Sequence, residues 1–286
     1  MHELRLADDV LAGGDLIRPA LRDLRRAVNV YRESTHSDEV GRGLLVSIGE
    51  LAQIAGWIAS DAGQHAEAER LYRLGLSAAR QAEDRTLAGN LAGSLAYQFS
   101  NTGREADGLA LAQAAVEGAG RDAPPKARAL YLDRVAWAYV KAGGVKNAQE
   151  AMRALGEAGE ALAEDAGGLA APSYLYWVDA GELRIMESRV YTELRRPLCA
   201  VPLLREVLAG YDPTTRELAL YLSWLAVAYA DANEPEEAAA VAGRVISLSS
   251  DVASERTTER VRVVIERLKE FGDVPEVRAV LDAGKG

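Results

Sequence analysis

Three aromatic residues at equal spacing are the clearest candidates for ligand chemistry in the chain. Trp57, Tyr97 and Trp137 follow one another at intervals of 40 residues (57 to 97 and 97 to 137). Short polar residues lie close to them in sequence, namely Gln53, Asp61, Asn90, Asn101 and Asp133. Large apolar rings with a few amide and carboxylate groups are what a peptide or small-molecule site requires. Amides can also donate to and accept from an extended peptide backbone.

Catalytic signatures are missing from the sequence. It contains no Walker loop, no glycine fingerprint for dinucleotides, and no HExxH, CxxC or Gly-x-Ser-x-Gly motif. The three histidines, His2, His36 and His65, are scattered along the chain, which does not favour a metal site. We therefore expect a binding protein and not an enzyme, with no cofactor and no metal.

The charge balance also restricts the class of partner. The formal net charge is −10, and no concentrated basic patch interrupts the mixed charges of the surface. A surface of this sign repels phosphate backbones and anionic lipid headgroups. We expect no direct nucleic-acid binding by this chain and no membrane association. The longest apolar run, 218–230, has 13 residues (218 to 230 inclusive), fewer than the roughly 20 that a bilayer span needs.

The only cysteine, Cys199, indicates a reducing, cytoplasmic environment, because a single thiol cannot form an internal disulfide. Its apolar neighbours predict a small buried residue.

The elements that must position these side chains are helical hairpins. The sequence is rich in helix-forming residues, and five segments align on a turn after a helix, at Gly63, Gly103, Gly143, Arg195 and Asn233. Each has a small residue seven positions earlier, at Gly56, Ala96, Ala136, Ser188 and Ala226. The turns lie 40, 40, 52 and 38 residues apart. This pattern resembles the tetratricopeptide repeat, whose period is roughly 34 residues.

The repeat predicts an all-α fold, a right-handed superhelical α-solenoid in a single domain, 1–286. We expect an N-terminal helix pair over 15–49, in which Asp15–Arg32 pairs with Val40–Ile48. Five hairpins follow over 50–250, and capping helices over 254–286. One hairpin cannot bury its apolar face alone, so neighbouring hairpins must stack into a continuous core.

A narrower resemblance rests on three stretches, Leu4–Glu33, Glu50–Gly63 and Trp177–Leu208. They are similar to the C-terminal tetratricopeptide region of Xre-type helix-turn-helix regulators of actinobacteria, especially streptomycetes. In that family a DNA-binding domain precedes the repeats, which are taken to be a sensor or interaction module. We expect this chain to be either a truncated regulator or a stand-alone relative, so the family's DNA binding carries over to no residue here.

By the same resemblance, the first helix of each hairpin lines a concave groove. On stacked hairpins the rings of the three aromatic residues are then aligned along this groove, and together with the polar residues named above they become a predicted ligand site. Trp177, Glu182 and Arg189 join it from the fourth hairpin. Two alternatives stay open: the aromatics could be packing residues, or Asp15–Arg32 could cover them. Trp177 with Asp179 and Glu182 could equally be a helix-start cluster.

The resemblance implies a regulatory domain that senses a peptide or small-molecule effector in the groove. The alternative is an interaction scaffold or homodimerisation module that binds no small ligand.

Overall fold

The computed structural model describes residues 4, 5, 7, 13–165, 171–210, 216–250 and 254–283, and these contain helices and no strand. The helices are α1 (Gly13–Glu33), α2 (Asp38–Asp61), α3 (His65–Gln81), α4 (Arg85–Asn101), α5 (Glu105–Ala119), α6 (Pro125–Ala142), α7 (Val145–Ala163), α8 (Ala180–Glu193), α9 (Pro197–Leu208), α10 (Arg216–Asp231), α11 (Pro235–Ser250), α12 (Glu255–Leu268) and α13 (Pro275–Ala283). Two short 3₁₀ helices span Ser173–Leu175 and Lys269–Phe271. The predicted all-α helical-repeat fold is confirmed.

The chain forms two compact units, and the boundary between Leu183 and Arg184 falls within α8. In the first unit α1 packs on α2, and three antiparallel hairpins follow, α2/α3, α4/α5 and α6/α7. The first helices of these hairpins adjoin one another, α2 beside α4 and α4 beside α6. Residues at equivalent repeat positions of α2, α4 and α6 therefore lie side by side.

The second unit is built around the hairpin α10/α11, with α9 packed on α10. Helices α12 and α13 cover the far side of this hairpin and share its core, which contains Ala226, Ala238, Ala242, Val264, Leu268 and Val277. Helix α12 begins after Ser254, whose hydroxyl accepts a hydrogen bond from the Thr257 N–H at 3.4 Å. These two helices occupy the positions predicted for the C-terminal capping helices.

The residue at the turn that aligns the repeats has a positive φ angle in each copy. Gly63, Gly103 and Gly143 have φ angles of 73°, 79° and 70°. Arg195 and Asn233 adopt φ angles of 53° and 61° at the equivalent position, despite the steric cost for side chains with a Cβ. The fourth copy, whose turn departs most from the motif in sequence, therefore keeps its register at the turn.

The predicted N-terminal helix pair is corrected by the structure. Val40–Ile48 is not a separate helix: it is the first part of α2, which runs unbroken from Asp38 to Asp61 and is the first helix of the first hairpin. Nothing in this stretch ends a helix, and Gly49 serves close packing, because a Cβ there would lie 2.7 Å from Leu87 Cδ2. Helix α1 therefore packs on the first hairpin as a single added helix.

Cys199 is exposed, contrary to the predicted burial. Helix α9 buries Ala200 and Leu204, which lie one turn apart on one face. Cys199 precedes that stripe by one residue and is turned away from it.

One helix among the described residues, α2, is long and apolar enough to cross a bilayer by length and composition alone. Its best window has a mean hydropathy of 1.3, and 61% of that window is buried inside the protein. The high hydropathy and the burial are both explained by the packing of α2 against α3 in the core of the first hairpin.

Helices cross closely where the repeat has its small residues. A Cβ on Gly56 would lie 2.6 Å from the ring of Tyr72, so the aromatic fills the space that the glycine leaves. A Cβ on Gly108 would lie 2.9 Å from the Ser100 backbone nitrogen and 3.0 Å from the Ala96 carbonyl oxygen. In the second case the neighbouring atoms are backbone and cannot turn aside.

We expect Gly108→Ala to lower the free energy of unfolding by about 1–3 kcal/mol, the usual cost of overpacking, despite the higher helix propensity of alanine. The matched control is Gly118→Ala in the same helix, where an added Cβ meets nothing within 4 Å. It should be neutral or raise stability by up to about 1 kcal/mol. Urea denaturation followed by circular dichroism measures both, and equal effects would contradict the close-crossing interpretation.

Candidate functional site

Trp57, Tyr97 and Trp137 stand side by side on α2, α4 and α6. The ring centroids of Trp57 and Tyr97 are 6.0 Å apart with an interplanar angle of 30°, and those of Tyr97 and Trp137 are 6.0 Å apart at 34°. Both distances lie within the range of favourable aromatic pairs. We call these three residues the aromatic column, and the predicted alignment of their rings is confirmed.

Exposure differs along the aromatic column. Trp57 and Tyr97 are half-buried, whereas Trp137 is only 3% exposed. The Trp137 indole N–H donates to Asn101 Oδ1 at 3.3 Å, and the Asn101 amide donates to the Tyr97 carbonyl at 2.7 Å. Trp137 is therefore mainly a packing residue, while Trp57, Tyr97 and the exposed Asn101 offer surface to a ligand.

Cationic side chains lie against the rings of the column. The Arg134 guanidinium is 4.5 Å from the Tyr97 ring centroid, and Lys141 Nζ is 5.6 Å from the Trp137 centroid. Arg134 also lies 3.5 Å from the carboxylate of Asp133, and both residues are buried. The sequence interpretation missed Arg134, although its position three residues before Trp137 places both on one face of α6.

The other predicted polar residues form the floor of this surface. Gln53, Asp61, Asn90 and Asp133 are all buried. Gln53 donates from Nε2 to the Ser94 hydroxyl at 3.4 Å, which joins α2 to α4. All four side chains are therefore largely shielded from solvent, and Gln53 also connects two neighbouring helices.

Arg5, a residue that no sequence motif singled out, lies at the end of this floor and is 7% exposed. Its Nη1 donates to Gln53 Oε1 at 2.8 Å, and its Nη2 donates to the Glu50 carbonyl at 3.4 Å. The same Nη2 lies 3.8 Å from the Glu50 carboxylate, and the guanidinium carbon is 5.7 Å from the centroid of the Tyr174 ring. We call Glu50, Gln53 and Tyr174 the Arg5 pocket.

The Arg5 pocket is a buried, electronegative environment. Burial raises the pKa of the Glu50 carboxyl; the Arg5 charge opposes this rise, and nearby Asp84 adds to it. Burial also raises the pKa of the Tyr174 hydroxyl, and the neighbouring groups Tyr131, Asp84 and Glu50 raise it further. Among the described residues the Tyr174 hydroxyl has no hydrogen-bond partner.

The residues predicted from the fourth hairpin divide between the two units. Asp179 accepts a hydrogen bond from the Glu182 N–H at 2.9 Å, which is an N-terminal helix cap and favours the helix-start interpretation of this cluster. Trp177 is half-buried beside it. Arg189 belongs to the second unit, where its guanidinium lies 5.2 Å from the Trp224 ring centroid.

Trp224 contacts a second guanidinium that the sequence interpretation also missed. Arg260 lies 3.5 Å from the ring centroid and donates from Nε to the buried Ser223 hydroxyl at 3.0 Å. The cluster ties α8 and α12 to α10 within the second unit. Among the residues that the structure describes, no three histidine, cysteine or acidic side chains are grouped to hold a metal ion.

Comparison with known proteins identifies the fold and not a family. No protein-family model and no curated protein matches the chain. Among solved structures, the chain is similar to BtubC (BKLC) from P. vanneervenii, with a TM-score of 0.54 over 84% of this chain and 92% of that one. The two sequences are 17% identical, so the likeness concerns the helical-repeat fold alone.

Because Trp137 is more deeply buried than Trp57, replacing each with alanine should lower the free energy of unfolding by different amounts. We expect Trp137→Ala to lower the free energy of unfolding by about 3–5 kcal/mol, as removal of a buried aromatic does. Trp57→Ala should cost clearly less, because part of its ring already contacts solvent. Urea denaturation of both variants tests this, and equal losses would show that Trp57 is as much a core residue as Trp137.

The raised pKa of Glu50 predicts a pH effect on stability. A carboxyl whose folded-state pKa exceeds its unfolded value stabilises the fold below the unfolded pKa, and this contribution is lost as pH rises through the folded-state pKa. Relative to Glu50→Gln, the wild type should therefore lose stability as pH rises above 4.5, the ordinary pKa of the group. Urea denaturation between about pH 4 and about pH 7 measures the difference.

Glu67 supplies a control of opposite sign. The hydrogen bond from Arg70 lowers the pKa of the Glu67 carboxyl. Its stabilising contribution is present above the unfolded pKa and is lost as pH falls. The difference between wild type and Glu67→Gln should therefore slope in the opposite direction, and a common slope for the two pairs would refute the assignment at Glu50.

Proposed function

We propose that the first unit binds a peptide or small-molecule effector along the aromatic column, as the sensor module of a cytoplasmic bacterial transcriptional regulator. The observation that carries this proposal is the stacked pair Trp57 and Tyr97, whose rings lie 6.0 Å apart on neighbouring helices and remain partly open to solvent. Partly exposed aromatics backed by buried ones are typical of recognition hot spots.

The polar groups around the column supply orientation. The exposed Asn101 beside Tyr97 can both donate to and accept from a peptide backbone. Arg134 and Lys141 place positive charge against the rings at 4.5 Å and 5.6 Å. An apolar or aromatic ligand group packs on the rings, while an amide or carboxylate of the ligand pairs with the exposed Asn101 and the partly exposed Lys141.

The site can transmit a signal because its two partly exposed aromatic residues lie on different hairpins. Trp57 is on α2 and Tyr97 is on α4, the first helices of adjacent hairpins. A ligand that contacts both favours one angle between the two hairpins over others, and a ligand shifts an equilibrium only by its differential affinity for the two states. The proposed output is a change in the curvature of the stack or in the geometry of a dimer.

A thermal-shift screen with synthetic pentapeptides and a panel of small metabolites tests the proposal. A ligand that binds only the folded protein raises its stability, by about 2.7 kcal/mol at a hundred times its Kd. The shift should disappear in Trp57→Ala and persist in Leu74→Ala, a control that removes an exposed apolar side chain from α3.

Two results would count against this function. The first is a complete absence of stabilising compounds together with self-association of the chain, which would favour the scaffold or dimerisation alternative. The second is a ligand whose thermal shift is unchanged in Trp57→Ala, which would place its site away from the aromatic column.

A further inference from the structure

We propose that the Arg5 pocket is a recognition site for an arginine side chain of the peptide effector, and that Arg5 is its intramolecular occupant. This inference rests on the proposed function and specifies the chemistry of its ligand. Three features carry it: the match of the pocket to a guanidinium, the buried acid that needs a cation, and the position of the pocket relative to the aromatic column.

The contacts of Arg5 suit a guanidinium better than an ammonium ion. Two different nitrogens reach two different acceptors, Gln53 Oε1 at 2.8 Å and the Glu50 carbonyl at 3.4 Å. The guanidinium carbon also lies 5.7 Å from the centroid of the Tyr174 ring. A planar fork with several donors satisfies all of these contacts at once, whereas lysine presents a compact point charge.

The carboxylate of Glu50 makes a cation necessary. Its side chain is 14% exposed, and Asp84 contributes further negative charge nearby. A buried carboxylate is strongly disfavoured unless it is paired. When Arg5 leaves, the pocket therefore retains an uncompensated acid, which draws in another guanidinium.

The Tyr174 hydroxyl gives a peptide ligand an advantage over Arg5. It is buried, it has no hydrogen-bond partner among the described residues, and the centroid of its ring lies 5.7 Å from the Arg5 guanidinium carbon. A buried hydroxyl that makes no hydrogen bond lowers the free energy of unfolding. A peptide that brings its own arginine and places a carbonyl near this hydroxyl gains one hydrogen bond that Arg5 does not make.

The pocket and the column share α2, which sets the spacing of the ligand. Gln53 and Trp57 are four residues apart and lie on the same helix face, with their Cβ atoms about 5–6 Å apart. In an extended peptide, side chains on one face recur every second residue, at about 6.6–7.2 Å. The ligand class is therefore a peptide with arginine followed two positions later by an aromatic or apolar residue.

Arg5 itself regulates access to the pocket. It is 48 residues from Gln53 in sequence and is tethered to the unit that it occupies. A tethered ligand acts at an effective concentration in the range of about 1 mM. Wild-type protein should consequently bind a free arginine peptide weakly, and loss of Arg5 should open the site.

Isothermal titration of the full chain with acetyl-Ala-Arg-Ala-Phe-amide tests this proposal. We expect Arg5→Ala to bind the peptide at least tenfold more tightly than wild type. Arg42→Ala removes an exposed arginine from α2 and should match wild type. The same peptide with citrulline in place of arginine is nearly isosteric but uncharged, and it should bind Arg5→Ala at least tenfold more weakly than the arginine peptide does.

Two further variants keep the test decisive. Arg5→Lys retains a cation beside Glu50 and replaces Arg5→Ala if that variant does not fold by circular dichroism; its affinity should lie above that of wild type. Tyr174→Phe, combined with either Arg5 variant, should weaken peptide binding without lowering thermal stability, because the hydroxyl that it removes has no hydrogen-bond partner in the described part of the chain.

The inference is overturned if the folded Arg5 variant binds no better than wild type, or if the citrulline peptide binds as well as the arginine peptide. If effectors from the thermal-shift screen still depend on Trp57 in that case, the proposed function stands and only the arginine pocket falls. If the arginine peptide binds but Trp57→Ala changes neither its affinity nor any thermal shift, the pocket stands and the column function falls.

Discussion

The close approach of helices at glycine and alanine positions is the constraint on which the site depends. Gly49 on α2 leaves room for the Leu87 side chain of α4, and Gly89 on α4 leaves room for the Tyr131 ring of α6. Because interiors are packed without spare volume, the side chains at these crossings fix the helix separation. That separation places the rings of Trp57, Tyr97 and Trp137 at 6.0 Å, so the candidate binding surface is a consequence of the packing of the hairpins behind it.

The three aromatic side chains of the column differ in how deeply they are buried, and this difference separates a packing residue from the candidate ligand contacts. At one end of the column Trp137 is enclosed and hydrogen-bonded to Asn101, whereas Trp57 and Tyr97 keep part of their rings in solvent. Asp133 and Gln53 are buried in the floor, where Gln53 connects α2 to α4. Binding costs less free energy when the groups of a site are already ordered, and the proposed site has partly open rings above buried, hydrogen-bonded side chains.

Arg5 shows that this floor already holds a cationic side chain from a distant part of the chain. Its guanidinium donates to the Gln53 amide oxygen at 2.8 Å and supplies a positive charge 3.8 Å from the Glu50 carboxylate. The acidic net charge of the protein agrees with such a pocket, because it attracts basic peptides and repels phosphate backbones. The contact of Arg5 with the Glu50 carboxylate on α2 is thus the basis for proposing an arginine-containing peptide as the ligand.

The sequence by itself determined the helical hairpins, their turns and the alignment of the aromatic column, because these depend on local periodicity and on small residues at fixed intervals. It predicted the turn even at Arg195, where no glycine marks it. It did not reveal the continuity of α2, the burial of Trp137 or the role of Arg5. These depend on contacts between residues far apart in the chain, such as the 48 residues between Arg5 and Gln53, and only the tertiary structure decided which side chains share a pocket.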